Sequence, residues 1–138
     1  MSCVLDASVT LSWLYERATE AERSRSIAIL EQLDESPAIV PVLWMAEVLN
    51  AIVVGERRKI ISVTQSADFL ERLSALNIET DPIATTARRD AVLGVVRELS
   101  ISAYDATYVE LAMRLGRPFA TFDARLRKAA ESIGMAVL

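Results

Sequence analysis

The sequence predicts an α/β domain, with helices sandwiching a mainly parallel central sheet. Three observations carry that expectation. Short apolar runs (Cys3-Val4-Leu5, Ala38-Ile39-Val40, Phe119-Ala120-Thr121) recur along the chain and read as strands buried in a parallel sheet. Between them lie longer segments with helical periodicity and capping residues at their starts. The chain has 138 residues, enough for one core, and shows no linker, internal repeat or low-complexity stretch, so residues 1–138 are read as a single domain.

Cys3-Val4-Leu5 is a strand that stops at Asp6. Ser8 opens a first helix through Trp13 and Leu14, and Thr19 caps a second over residues 19–35. Ala38-Ile39-Val40 is the second strand, ended by Pro41. Helices follow over 43–58 and 64–76, the latter capped by Thr64. Asn77 to Thr80 forms a short third strand before Pro82. Residues 83–99 and 103–115 are expected to be helical, with Gly116 and Pro118 closing the second. Phe119 to Thr121 is a fourth strand, 124–133 a last helix stopped by Gly134, and Met135 to Leu138 a closing strand.

Composition narrows the chemistry. Apolar residues make up 52%, but charges interrupt every run, and none nears the roughly 18 residues that cross a bilayer. The start, MSCVLDAS, lacks a basic region followed by an apolar one, so no secretory signal is expected. The single Cys3 has no partner for an internal disulfide, and a reducing cytoplasm is the expected location. Histidine is absent, which excludes Ser-His-Asp triads, Cys-His nucleophiles and His-based ribonuclease mechanisms. One Cys and no His also leave few ligands for zinc. The net charge of −4 argues against a wholly basic nucleic-acid surface, although Arg outnumbers Lys by 13 to 2. That preference suits phosphate binding, and it equally suits a genome biased toward Arg and Ala codons.

Four acids stand out by position. Asp6 directly follows the first strand, where ligands of open parallel sheets collect, and it is equally placed to cap the next helix. Glu47 sits among Leu43, Trp44, Ala46, Val48, Leu49, Ala51 and Ile52; either it is buried and its carboxylate needs a cation, an Arg or a cavity, or it faces the edge on a surface stripe. Asn50 shares its helical face and is placed to orient it. Asp105 begins a helix within Ser102-x-x-Asp105, which is close in form to a capping box. Asp123 lies between the fourth strand and the last helix, and in extended backbone Thr121 and Asp123 point to one side. Singly, capping explains three of these acids. Converging at one sheet end, they would make a carboxylate pocket without histidine, which is what Mg²⁺ or Mn²⁺ requires; four independent caps are the alternative, and leave a buried Glu47 unexplained. Glu16, Glu20, Glu22, Glu31, Glu35, Glu56, Glu71 and Glu98 lie among Arg and polar residues, as solvated helix faces do. Asp90, after Arg88-Arg89, reads the same way.

At these residues the sequence resembles PIN domains, specifically the VapC-type toxin ribonucleases of toxin–antitoxin pairs. The resemblance covers the whole chain: VLDAS at the start, the WMAEVLNA helix, and most specifically SAYDATYVELAMRLGRPFATFDARL over residues 102–126. It implies a three-layer α/β/α sandwich, dependence on Mg²⁺ or Mn²⁺, and endonucleolytic cleavage of RNA. It also implies a homodimer, inhibited by a small cognate antitoxin whose tail covers the active-site groove. Carried over by position, the catalytic and metal-holding cluster falls on Asp6, Glu47, Asp105 and Asp123. Thr121 matches the hydroxyl beside the last acid, and Asn50 a polar helper near the Glu. Many members carry a further acid shortly after the final Asp, where this chain has Arg125 and Leu126.

The expected reaction is metal-assisted hydrolysis of a phosphodiester, with water attacking phosphorus in line. Arg125, Arg127 and Lys128 are candidates for holding substrate phosphate, or else a solvated helix face. A phospho-acceptor signalling domain shares the size and the Asp after strand one, but needs an active-site Lys; Lys59 and Lys128 both lie on helices. A catalytically silent PIN-like module, binding RNA or protein, would typically have lost one of the four acids.

Overall fold

Strand β1 (Cys3–Leu5) runs through the middle of a parallel sheet in a computed structural model that describes residues 1–16 and 19–138. Strands β2 (Ala38–Val40) and β4 (Phe119–Ala120) flank it, and β3 (Ile78–Thr80) lies beyond β2, giving the order β3-β2-β1-β4. The register sets Cys3 against Ala38, Val4 against Phe119 and Ala38 against Ile78. All three β1 side chains are buried, as they must be in a strand covered on both faces. The α/β/α expectation holds.

Because every pair is parallel, all strands end at one edge. Asp6, Pro41, Asp81 and Thr121 therefore emerge side by side there. The ladder continues past the strands, Asp6 donating its N–H to Ala120 at 3.0 Å and Asp81 to Val40 at 2.8 Å. The acids that follow strands are thus brought together by sheet polarity alone.

The helices are α1 (Ala7–Ser12), α2 (Glu20–Gln32), α3 (Leu43–Arg57), α4 (Val63–Ser74), α5 (Arg89–Leu99), α6 (Ala103–Leu115) and α7 (Ala124–Ser132). Helix α6 is the most deeply embedded: every residue from Ala106 to Ala112 is buried, and it packs on β1, β4 and α5. Helix α3 is held to α1 and its exit by polar bonds, Trp44 Nε1 donating to Thr10 at 3.0 Å and the Tyr15 hydroxyl to the Ala51 carbonyl at 3.0 Å. That tyrosine is why Gly55 lies where it does: a Cβ there would stand 1.9 Å from the Tyr15 oxygen.

Three element expectations need correction. Ser62, not Thr64, caps α4, because Ser62 and Gln65 complete a reciprocal capping box with bonds of 3.1 and 2.8 Å. Residues 83–99 are not one helix: Thr85–Arg88 is a 3₁₀ turn, and α5 starts at Arg89. Arg88 leaves helical backbone angles, with its guanidinium drawn to Glu110. The closing strand shrinks to a single bridge between Phe119 and Val137, since β4 itself is only two residues long.

The Arg88 contact belongs to a buried ionic network. Glu110 accepts from Arg88 at 2.8 Å and from Arg114 at 3.1 Å, while Arg114 reaches Asp81 at 2.6 Å. It ties the 3₁₀ turn, α6 and the end of β3 together. Glu110→Ala leaves two guanidinium groups without their shared acceptor and should cost about 3 kcal/mol in urea unfolding. Glu20→Ala, which breaks the exposed pair with Arg23, should cost about 0.5 kcal/mol or less in the same experiment.

Candidate active site

Asp6 leaves β1 in extended conformation and opens α1, yet its side chain makes no cap bond. Instead Oδ2 accepts the Ser8 hydroxyl at 2.6 Å and the Thr121 hydroxyl at 2.8 Å. Ser8 Oγ in turn accepts the Phe122 N–H at 3.0 Å, and Thr121 Oγ1 the Asp123 N–H at 3.1 Å. Two hydroxyls thereby join the ends of β1 and β4 through one carboxylate oxygen. Thr121 is fully buried, so this arrangement is part of the core's edge rather than a surface contact.

Glu47 projects from α3 and is half-buried. Its Oε1 accepts the hydroxyl of Tyr108, on α6, at 2.5 Å. The need for a partner was foreseeable, but the partner is a phenol and not Asn50, which is exposed. Asp105 stands in the first turn of α6. Ser102 caps this helix by accepting the Asp105 N–H at 3.1 Å, with no reciprocal box, so the Asp105 carboxylate is not used in capping. Asp123 does cap: its Oδ1 accepts the Leu126 N–H at 2.9 Å. Capping engages only that oxygen.

Asp6, Glu47 and Asp105 each feel the charge of a neighbouring acid. Burial pushes the Asp6 carboxyl above its ordinary value; the Ser8 and Thr121 hydroxyls oppose the rise and the charge on Asp105 adds to it. Glu47 is raised by burial, opposed by the Tyr108 hydrogen bond and reinforced by Asp6 and Asp105. Asp105 is raised by burial and by Asp123, with Ser102 and Arg125 opposing. None of the four forms a salt bridge among the described residues. What surrounds them is mostly neutral donors.

This donor set suits a hard cation. Asp6 Oδ1, Glu47 Oε2 and Asp123 Oδ2 take part in no side-chain hydrogen bond among the described residues, leaving one oxygen of each for an ion. As placed, no three acids among the described residues stand close enough together to hold an ion by themselves.

Of the basic candidates, Arg125 is exposed and close enough to act on Asp105. Arg127 is committed elsewhere, to Glu131 at 3.5 Å and the Leu138 carbonyl at 2.6 Å, and Lys128 is exposed. Asp90 is solvent-facing, as expected. Sequence reasoning missed Ser8, Tyr108 and the Glu110 network. Tyr108 carries no signal beyond that of a core aromatic, whereas Glu110-x-x-x-Arg114 was a visible ion-pair spacing inside an apolar run.

A three-layer α/β/α domain with acids gathered at the carboxyl edge of its parallel sheet defines the class. The chain belongs to the PIN domain family, whose model matches residues 3–132. Among solved structures it is similar to PAE2754 from Pyrobaculum aerophilum, with TM-score 0.68 and 22% identity over 99% of this chain and 83% of that one. It is also similar to FitAcB from Neisseria gonorrhoeae, with TM-score 0.65 and 18% identity over 100% of this chain and 96% of that one. At these identities the likeness is one of fold. No curated protein matches the sequence.

The raised carboxyls predict an unusual pH response. A group whose pKa is higher in the folded chain stabilises the fold while protonated, and that stability is lost as pH rises through the folded value. Without histidine, no ordinary imidazole titration overlies this effect. In EDTA the stability contributed by these carboxyls should therefore decline as pH rises above the ordinary carboxylate range, lowering the melting temperature, and decline less in Asp6→Asn. A flat or rising curve in the wild type would contradict the clustering.

Proposed function

We propose that the protein is a Mg²⁺- or Mn²⁺-dependent endoribonuclease that acts as the toxin of a toxin–antitoxin pair. The observation that carries this reading is the contrast between two groups of acids. Asp81 and Glu110 are neutralised by Arg88 and Arg114. Asp6, Glu47, Asp105 and Asp123 lie near enough for charge to act between them, with hydroxyl and N–H donors beside them and no salt bridge among the described residues. All four acids of the PIN pattern are present, which favours an enzyme over a silent binding module.

Asp6, Glu47, Asp105 and Asp123 would hold the ion, which when bound supplies a more acidic water and offsets charge on the phosphate. Thr121 keeps Asp6 aimed while its hydroxyl also fixes the Asp123 backbone. Arg125, on the rim, is free to take a phosphate of the RNA backbone.

Two surfaces support the partners. An apolar groove of about 380 Å³ between α2 and α4, lined by Trp13, Leu30, Phe69, Leu73 and Leu76, suits the apolar face of an antitoxin helix. Val42, Met45, Leu49 and Val53 lie exposed at helical spacing along α3, a stripe that suits pairing of two copies. Among the described residues no helix is long and apolar enough to cross a membrane, in keeping with action on cytoplasmic RNA.

Cleavage of RNA by the purified protein should require Mg²⁺ or Mn²⁺ and stop in EDTA. Asp105→Asn keeps the side-chain shape and the Ser102 cap but removes a charge from the cluster. It should lose on the order of a hundredfold in rate or more, with an unchanged circular dichroism spectrum. Full activity in EDTA, or in Asp105→Asn, would refute the metal assignment.

A further inference from the structure

We propose that Tyr108 is a positioning residue for Glu47, its phenol fixing one carboxylate oxygen so that the other is presented to the cation; this rests on the metal-site reading above. The Tyr108 ring is fully buried in α6, with its centroid 6.1 Å from that of Phe119 on β4. Its orientation is therefore set by core packing. From that fixed point the hydroxyl reaches across to α3 and donates to Glu47 Oε1 at 2.5 Å. Glu47 has three rotatable side-chain bonds, is half-buried and forms no salt bridge among the described residues. The phenol is its one side-chain hydrogen-bond donor among them.

A phenol suits this task better than a cation. It is neutral at working pH and donates a single proton, so it holds Oε1 without cancelling the charge that Oε2 brings to an ion. The bond joins residues 61 positions apart in sequence, and it ties an acid on α3 to a ring packed against the sheet. Partners that orient a metal-binding side chain typically change affinity by about 10- to 100-fold when removed.

The test is Mn²⁺ affinity, by calorimetry on the full chain, for wild type, Tyr108→Phe, Glu47→Gln and the double variant. Tyr108→Phe keeps the ring against Phe119 and removes only the oxygen. It should weaken Mn²⁺ about tenfold in the wild-type background and change it less than about twofold beside Glu47→Gln, since its action runs through that carboxylate. Tyr104→Phe, on an exposed ring, should bind as wild type. Wild-type affinity in Tyr108→Phe would overturn the proposal, and so would an equal loss in both backgrounds, which would make the tyrosine merely structural. If wild type itself fails to bind Mn²⁺, the metal reading falls and this proposal with it. Should Tyr108→Phe not fold, ¹⁹F spectra of 3-fluorotyrosine-labelled protein decide. The buried Tyr108 resonance should shift with Mg²⁺ and with Glu47→Gln, and indifference to both would overturn the assignment.

Discussion

The structure is organised around a repulsion it leaves in place. Four carboxylates from β1, α3, α6 and the start of α7 are gathered at one sheet edge, and three of them are raised by burial and by one another. Like charges in a partly desolvated setting oppose folding. The surrounding groups moderate that cost without removing it. Ser8, Thr121 and Tyr108 donate hydrogen bonds, and the Leu126 N–H takes up one oxygen of Asp123. An Arg placed among these acids would offset their repulsion and stabilise the fold. Half-buried Arg114 is placed elsewhere, on Glu110 and Asp81.

That placement makes α6 a helix of two functions. With about 100° between successive residues, Asp105 and Tyr108 fall on nearly one face and Glu110 and Arg114 on another, roughly 140° and roughly 180° round from Asp105. The first face serves the acid cluster, the second the ionic network. Between them the helix is buried without a break from Ala106 to Ala112 against β1 and β4. Repacking of this helix against β1 and β4 would shift Asp105 and the phenol that holds Glu47 together.

How much of this was legible in the sequence differed by kind of residue. Asp6 and Asp123 were readable because their positions after apolar strands define a sheet edge. Glu47 was readable because a carboxylate inside an apolar helix needs an explanation. The rest was hidden for physical reasons. Tyr108 has the pattern of any core aromatic, and only the packing of α6 on β4 brings its oxygen to α3. Ser8 looked like the opening of a helix, whereas the structure makes it a donor to Asp6. The split at Arg88 depends on a partner 22 residues away, which no local propensity encodes.

Capping and ligation are not exclusive alternatives, and geometry gives the acids different parts in capping. Asp6 occupies an N-cap position with suitable extended angles, yet turns its carboxylate away from the helix toward two hydroxyls. Helix α1 thereby forgoes a cap bond of a kind typically worth about 1 kcal/mol. Asp123 caps α7 with one oxygen, which leaves the other outside the cap bond. Asp105 leaves capping to Ser102 and keeps its charge for the cluster. A fold selected for stability alone would cap α1 with Asp6 and neutralise Glu47 with an arginine. Leaving both undone is consistent with selection for a site that a cation completes.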